Sequence, residues 1–148
     1  MKRGLLKLPH AYSKILVTGG AGFIGSHIVD KLLTDGFEVT VIDNLQTGRL
    51  ENLAHHQGRE DFHFIKGDIR NYEQLRRIAT EVDAIIHLAA LVGVGQSMYE
   101  IERYIDANTK GTASLLDILV NEEHDVKKLI VASSMSIYGE GKYHCCLL

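Results

Sequence analysis

The stretch Thr18-Gly19-Gly20-Ala21-Gly22-Phe23-Ile24-Gly25 carries two overlapping glycine spacings, Gly20/Gly22/Gly25 and Gly19/Gly22/Gly25. It lies between an apolar run, Ile15 to Val17, and a segment in which Ile24, Ile28, Val29, Leu32 and Leu33 recur at helical period before Gly36. Residues without a Cβ let a backbone bend sharply and come close to a ligand. A helix starting near Phe23 presents unpaired N–H groups and the positive end of its dipole, which suits a pyrophosphate. Asp43 closes a second apolar run, Phe37 to Ile42. An acid at that strand tip accepts hydrogen bonds from an adenosine ribose and repels a 2′-phosphate. These residue types in this order point to NAD rather than NADP.

Other candidate site residues fall at similar places. Asp68 follows the apolar run 62–65, Ala89 and Ala90 follow 83–88, and Ser133 and Ser134 follow 128–132. Asp68 also reads as a turn cap, since Asp is common in turns. His87 lies inside a buried run and reads as a core histidine. His55 and His56 are adjacent, and neighbours point apart on a helix or a strand. They read as a solvated pair, and no metal site is expected. Cys145 and Cys146 fit neither a disulfide framework nor a zinc pair, so a reducing cytoplasm is the expected compartment.

The elements that must position these groups alternate. Strands are expected at about 14–18, 38–43, 62–65, 83–88 and 128–132. Helices are expected from Phe23 to about Asp35, from Tyr72 to Thr80 with Asn71 as cap, and from about Ser97 to Glu122. The inner stripe of the last helix should include Ile101, Tyr104, Ile105, Leu115, Leu116 and Leu119. Such alternation implies an α/β, Rossmann-type doubly wound parallel sheet with its crevice at the carboxyl ends of the strands. Residues 1–12 read as a loose extension and 13–148 as an NAD-binding Rossmann domain. A net charge of −3 gives no broad basic field for nucleic acid. No apolar stretch is long enough to span a membrane. The apolar run near Met1 is broken by Lys7 and is too short for a signal peptide.

Thr18 to Gly25, Asp43-Asn44, Gly67-Asp68-Ile69, His87-Leu88-Ala89-Ala90, Asn108-Thr109-Lys110-Gly111-Thr112 and Ser133-Ser134-Met135-Ser136-Ile137-Tyr138-Gly139 together resemble the extended short-chain dehydrogenase/reductases. Within them the likeness is to NAD-dependent nucleotide-sugar epimerases and dehydratases of the UDP-glucose 4-epimerase type. The resemblance implies that Gly19, Gly22, Phe23, Ile24 and Gly25 cradle the pyrophosphate and that Asp43 and Asn44 hold the adenosine ribose. It implies that Asp68 and Ile69 bracket the adenine and that Leu88, Ala89 and Ala90 line the nicotinamide side. Asn108 would stabilise the active-site end of its helix. Ser134 would be the catalytic serine, hydrogen-bonding the substrate oxygen that gains or loses a proton. The implied reaction removes hydride from a sugar C4 to NAD and returns it to the opposite face, on a nucleotide-diphosphate sugar. Val92 stands where the UDP-galactose epimerases of this type carry a lysine, which departs from that subgroup.

The family chemistry also needs a Tyr-x-x-x-Lys pair on a helix, the lysine lowering the phenol pKa. The matching segment here is Tyr138-Gly139-Glu140-Gly141-Lys142, whose glycines disfavour a helix. It follows Ser134 at once, whereas the family pair lies on a later helix. The chain therefore reads as an amino-terminal fragment, inactive alone and without the sugar-binding lobe. Its fifth strand would be an exposed edge, inviting self-association, with a homodimer as the simplest form. A non-enzymatic dinucleotide-binding module and a reductase of the same superfamily are the competing readings.

Overall fold

The computed structural model describes residues 12–139 and residue 141. The expected extension lies outside the described residues except for Tyr12, which packs against the core. Lys142, Cys145 and Cys146 lie outside them as well. In chain order the elements are β1 (Lys14–Thr18), α1 (Phe23–Asp35), β2 (Glu38–Asp43), β3 (Phe62–Lys66), α2 (Tyr72–Ala79), β4 (Ala84–His87), α3 (Val94–Ser97), α4 (Ile101–Tyr104), α5 (Gly111–Asn121) and β5 (Lys128–Val131). A 3₁₀ segment, Leu50–His56, lies between β2 and β3, and a π-helical turn, Ile105–Lys110, joins α4 to α5.

All strand pairs are parallel, in the order β3-β2-β1-β4-β5. This is the doubly wound arrangement that the alternation of elements requires. β1 is central: Thr18 is level with Ile42 on one side and His87 on the other. The strand period of two divides the core. Ile15, Val17, Val39 and Val41 pack with Val29 and Leu33 of α1 and with Leu53. Leu16, Ile42 and Ile85 pack on the opposite face with Leu75 of α2 and with Leu115 and Ile118 of α5. α1 stops where Gly36 adopts φ 89°, a left-handed cap whose N–H donates back to the Leu33 carbonyl. Asn71 caps α2 as expected, its Oδ1 accepting from the Gln74 N–H at 3.2 Å.

Two expectations are corrected. The single helix expected from Ser97 to Glu122 is broken: α3 ends at Ser97, and α4, the π turn and α5 form a separate run. Of its expected stripe, Tyr104 and Leu115 are buried and Leu119 packs on the core, but Ile101, Ile105 and Leu116 are exposed. The first half of the run faces a loop rather than the sheet, and polar side chains line that face. His55 and His56 do not point apart. Both Nε2 atoms reach Oδ1 of Asp30, at 2.8 and 2.6 Å, and His56 is buried. They end a 3₁₀ segment rather than lying on an α-helix or strand, and their rings sit 4.0 Å apart.

β5 closes one end of the sheet, with Ile130 and Val131 exposed. Among the described residues no helix is long and apolar enough to cross a membrane.

Asp83, just before β4, ties that strand to the start of β1. Its Oδ2 accepts from the Ser13 N–H, the Ser13 hydroxyl and the Lys14 N–H at 2.7, 2.8 and 2.9 Å. The Lys14 and Ser13 backbone N–H groups hold its carboxyl down at about 2, against an ordinary 3.8. A depressed folded-state pKa adds stability that is complete above the unfolded value and is lost as pH falls through the folded one. Asp83→Ala should therefore cost about 1 kcal/mol at neutral pH. The difference from the parent should shrink between about pH 4 and pH 2 in urea unfolding curves. A pH-independent difference would contradict this role.

Candidate functional site

The glycine turn is built by close backbone packing. Gly19 adopts φ 73°, and a Cβ there would lie 2.7 Å from the Ala89 nitrogen. A Cβ on Gly25 would overlap the Gly19 carbonyl oxygen and lie 2.7 Å from the Gly20 Cα. Gly22 is less constrained, with a Cβ 3.3 Å from the Gly19 oxygen. Gly22 is the N-cap of α1; no side chain caps that end and no acidic residue lies in the first turn. The first N–H groups of a helix have no intrahelical acceptor. The amino end of α1 thus offers backbone donors and a positive dipole to an anion. Phe23 and Ile24, 79% and 65% exposed, flank it with apolar surface.

Carboxylates stand at the tips of β2 and β3. Asp43 is buried: Oδ2 accepts from the Ala21 N–H at 3.0 Å and Oδ1 from the Leu45 N–H at 2.8 Å. It fastens the glycine turn to β2 while its oxygens keep lone pairs for further donors. Asn44 donates from Nδ2 to Asp68 Oδ2 at 2.9 Å. Asp68 also takes a fork from Arg70, Nε to Oδ1 at 2.9 Å and Nη2 to Oδ2 at 2.7 Å, plus the Arg70 N–H. Arg70 reaches Asp106 with its remaining nitrogen. The guanidinium beside Asp68 holds that carboxyl well below the usual range, and the two carboxylates raise the arginine in turn. Asp68 is thus a turn cap and an ion-pair member at once. Ile69 lines the cleft but is mostly buried against Gly111, where a Cβ would run into it.

The loop after β4 is positioned by a chain of hydrogen bonds through His87. Thr18 Oγ1 accepts from the Leu88 and Ala89 N–H groups, each at 3.2 Å. Its own proton then goes to His87 Nδ1, 2.7 Å away. The Thr112 hydroxyl donates to the Asn108 carbonyl at 2.6 Å, so it accepts from His87 Nε2–H at 3.0 Å. His87 is therefore neutral with its proton on Nε2, and burial pushes its pKa down in agreement. Asn108, in the π turn, clamps the loop end: its Oδ1 accepts from the Leu91 N–H at 2.8 Å and its Nδ2 donates to the Leu91 carbonyl at 3.0 Å. π turns recur at functional positions. His87 is the satisfied core histidine expected, but with a positioning task that the sequence did not reveal.

These pieces enclose one cleft of about 820 Å³ at the carboxyl ends of the strands. All the expected site residues line it: Gly19, Gly22, Phe23, Ile24, Gly25, Asp43, Asn44, Asp68, Ile69, Leu88, Ala89, Ala90, Asn108 and Ser134. Arg70, Leu91 and Tyr104 line it too and were missed. Tyr104 Oη accepts from the Gly93 N–H at 3.0 Å, a second tie on the same loop. Its signal was its place on the inner stripe; Arg70 has a local partner in Asp68, but its second partner, Asp106, is distant in sequence and left no signal. Tyr138 ends a short 3₁₀ turn and is exposed, and Gly139 beyond it adopts φ 67°. No α-helix continues from Tyr138 among the described residues.

Residues 15–144 match the model of the NAD dependent epimerase/dehydratase family. The chain is similar to a bifunctional UDP-glucose 4-epimerase and UDP-xylose 4-epimerase 1 of Pisum sativum, 37% identical over 142 residues. That match covers 90% of this chain and 40% of the relative. It is also similar to UDP-glucuronic acid decarboxylase 1 of Danio rerio, 40% identical over 131 residues, covering 88% of this chain and 29% of the relative. Among solved structures, the UDP-Glc/GlcNAc 4-epimerase from Campylobacter jejuni superposes with a TM-score of 0.80 at 32% identity, over 88% of this chain and 40% of that one. The chain thus spans less than half the length of these relatives.

Asn108→Ala leaves both Leu91 backbone groups without their partner. It should cost about 1–3 kcal/mol in urea unfolding. Amide exchange at Leu91 should rise more than at Val41 in the core. Parent-like exchange at Leu91 would contradict the clamp.

Proposed function

The chain belongs to the NAD-dependent epimerase/dehydratase family, and from that premise we propose that it is the NAD-binding part of an enzyme that remodels the sugar of a UDP-sugar, most simply a 4-epimerase. The observation that carries this reading is the shared cleft: an uncapped helix amino end behind a Cβ-free turn, with a buried carboxylate at the next strand tip. The residues fit the cofactor. Cβ atoms on Gly19 and Gly25 would fill the space that the turn keeps for close packing. The donors at the amino end of α1 match a diphosphate, and Asp43 matches ribose hydroxyls.

Bound NAD supplies hydride acceptance and return at the sugar carbon. The protein's own part is placement. Phe23, Ile24 and Gly25, at the uncapped amino end of α1, would hold the diphosphate by backbone N–H groups. Asp43 and Asn44 would hold the adenosine ribose, and Asp68, kept ionised by the Arg70 guanidinium, would bracket the adenine with Ile69. Leu88, Ala89 and Ala90, in the loop held by Thr18 and Asn108, would form an apolar wall for the nicotinamide. Ser134, in the loop after β5, would offer its hydroxyl to the sugar oxygen that exchanges a proton. Tyr138 is not the base of this reading, since Gly139 and Gly141 disfavour the helix that would bring a tyrosine and a lysine four residues apart onto one face.

The alternatives differ in measurable ways. This chain should quench or enhance NADH fluorescence on binding and prefer NADH to NADPH by roughly tenfold or more, because Asp43 repels the 2′-phosphate. Gly25→Val should abolish the binding, while Gly95→Ala, whose Cβ meets open space, should keep it. Equal affinity for both cofactors would contradict the role of Asp43.

The same chain should bind NAD(H) without converting UDP-glucose to UDP-galactose, followed by chromatography of the sugar nucleotides. Epimerisation by the chain alone would show that its base lies within these residues and would overturn the assignment of Tyr138.

A further inference from the structure

Asp30 on α1 and the two histidines that end the 3₁₀ segment lie outside the cofactor cleft. One carboxylate oxygen and two imidazole nitrogens there lie within 4.8 Å of one another. Both Nε2 atoms address the same oxygen, Asp30 Oδ1, at 2.8 and 2.6 Å. We propose that Asp30, His55 and His56 bind a divalent transition-metal ion of the zinc class, joining α1 to the segment that follows β2.

The expectation of no metal rested on adjacent side chains pointing apart, and the 3₁₀ geometry removes that ground. Two imidazoles and one carboxylate are a ligand set for zinc, whereas magnesium and calcium prefer oxygen alone. Metal–ligand bonds of about 2.0–2.2 Å in a tetrahedral shell place ligand atoms about 3.3 Å apart. The two imidazole nitrogens need to move only about half an ångström further from Asp30 Oδ1, at 2.8 and 2.6 Å now, and all three ligand atoms already lie within 4.8 Å of one another. His55 and Asp30 have the freedom to do so, with side chains 57% and 40% exposed. His56 is the fixed member, 8% exposed and packed on the Phe62 ring at 5.5 Å. Binding replaces two N–H···O bonds by metal bonds, and each imidazole proton moves from Nε2 to Nδ1. Nothing is oxidised or reduced. The fourth position is left to water or to His27, whose Nδ1 already stands 3.8 Å from Asp30 Oδ2.

The ion would act on the glycine turn from behind. The Arg49 N–H and Asn52 Nδ2 donate to the Ala21 carbonyl at 3.0 and 2.9 Å, so the segment that carries the histidines also holds the turn. Fixing it to α1 ties down both sides of the bend, and a ligand bound by the folded state alone raises the melting temperature.

The test uses the full 148-residue chain, free of any affinity tag, with zinc affinity read by competition with a chelating dye and melting followed by circular dichroism. The expected result is a rise in Tm with zinc and none with magnesium. His55→Ala at an exposed position and Asp30→Asn at a half-buried one should fold and weaken zinc binding roughly tenfold or more. A chain with Cys145 and Cys146 both changed to Ser should bind as the parent does. Absence of zinc stabilisation would overturn the site. So would parent-like affinity in a folded His55→Ala chain, or loss of binding in the double serine variant, which would assign the ion to the cysteines.

Discussion

The structure depends on how closely its backbone packs at one bend. α1 can lie over the end of β1 only because Gly25 sits against the carbonyl of Gly19, and Gly19 against Ala89 of the loop after β4. The contact is backbone on backbone, so no rotamer change can relieve an added Cβ. It sets the direction of α1, and hence the point at which unpaired N–H groups and dipole meet solvent. The same contact draws the β4 loop to the bend, bringing the two halves of the cleft together.

A second set of interactions keeps that loop in place. Thr18, at the end of the central strand, receives two loop N–H groups and passes its own proton to His87. His87 passes the direction on to Thr112, and Asn108 in the next turn grips Leu91. Every member has one consistent donor role, and no side-chain polar atom buried among the described residues lacks a partner. A charged His87 would need two acceptors, yet Thr18 already uses its oxygen for two donors. Burial and hydrogen bonding therefore agree on a neutral ring.

Much of this was legible in the chain because local chemistry and global fold agree. The continuous apolar run of Ile15, Leu16 and Val17, the left-handed stop at Gly36 and the cap at Asn71 each have one local meaning, and each lies where that meaning places it. The site was legible for a related reason: parallel strands all end on the same side, so Asp43, Asp68, Ala89 and Ser134 had to meet once the alternation was recognised. What remained hidden depends on partners distant in sequence. Arg70 with Asp106, His87 with Thr18 and Thr112, and the histidine pair with Asp30 have no local signature. The run from Ile101 to Asn121 misled because apolar period alone cannot register a helix face that packs through Tyr104, Asn108 and Thr112.

Spectroscopy of backbone amides tests the central claim most directly. In a titration of the isotope-labelled chain with NAD, the N–H signals of Phe23, Ile24 and Gly25 should move most, with Ala21 and Leu45 beside Asp43 following. Binding that left those signals unmoved would mean that the bend and the helix end behind it are not where the diphosphate sits.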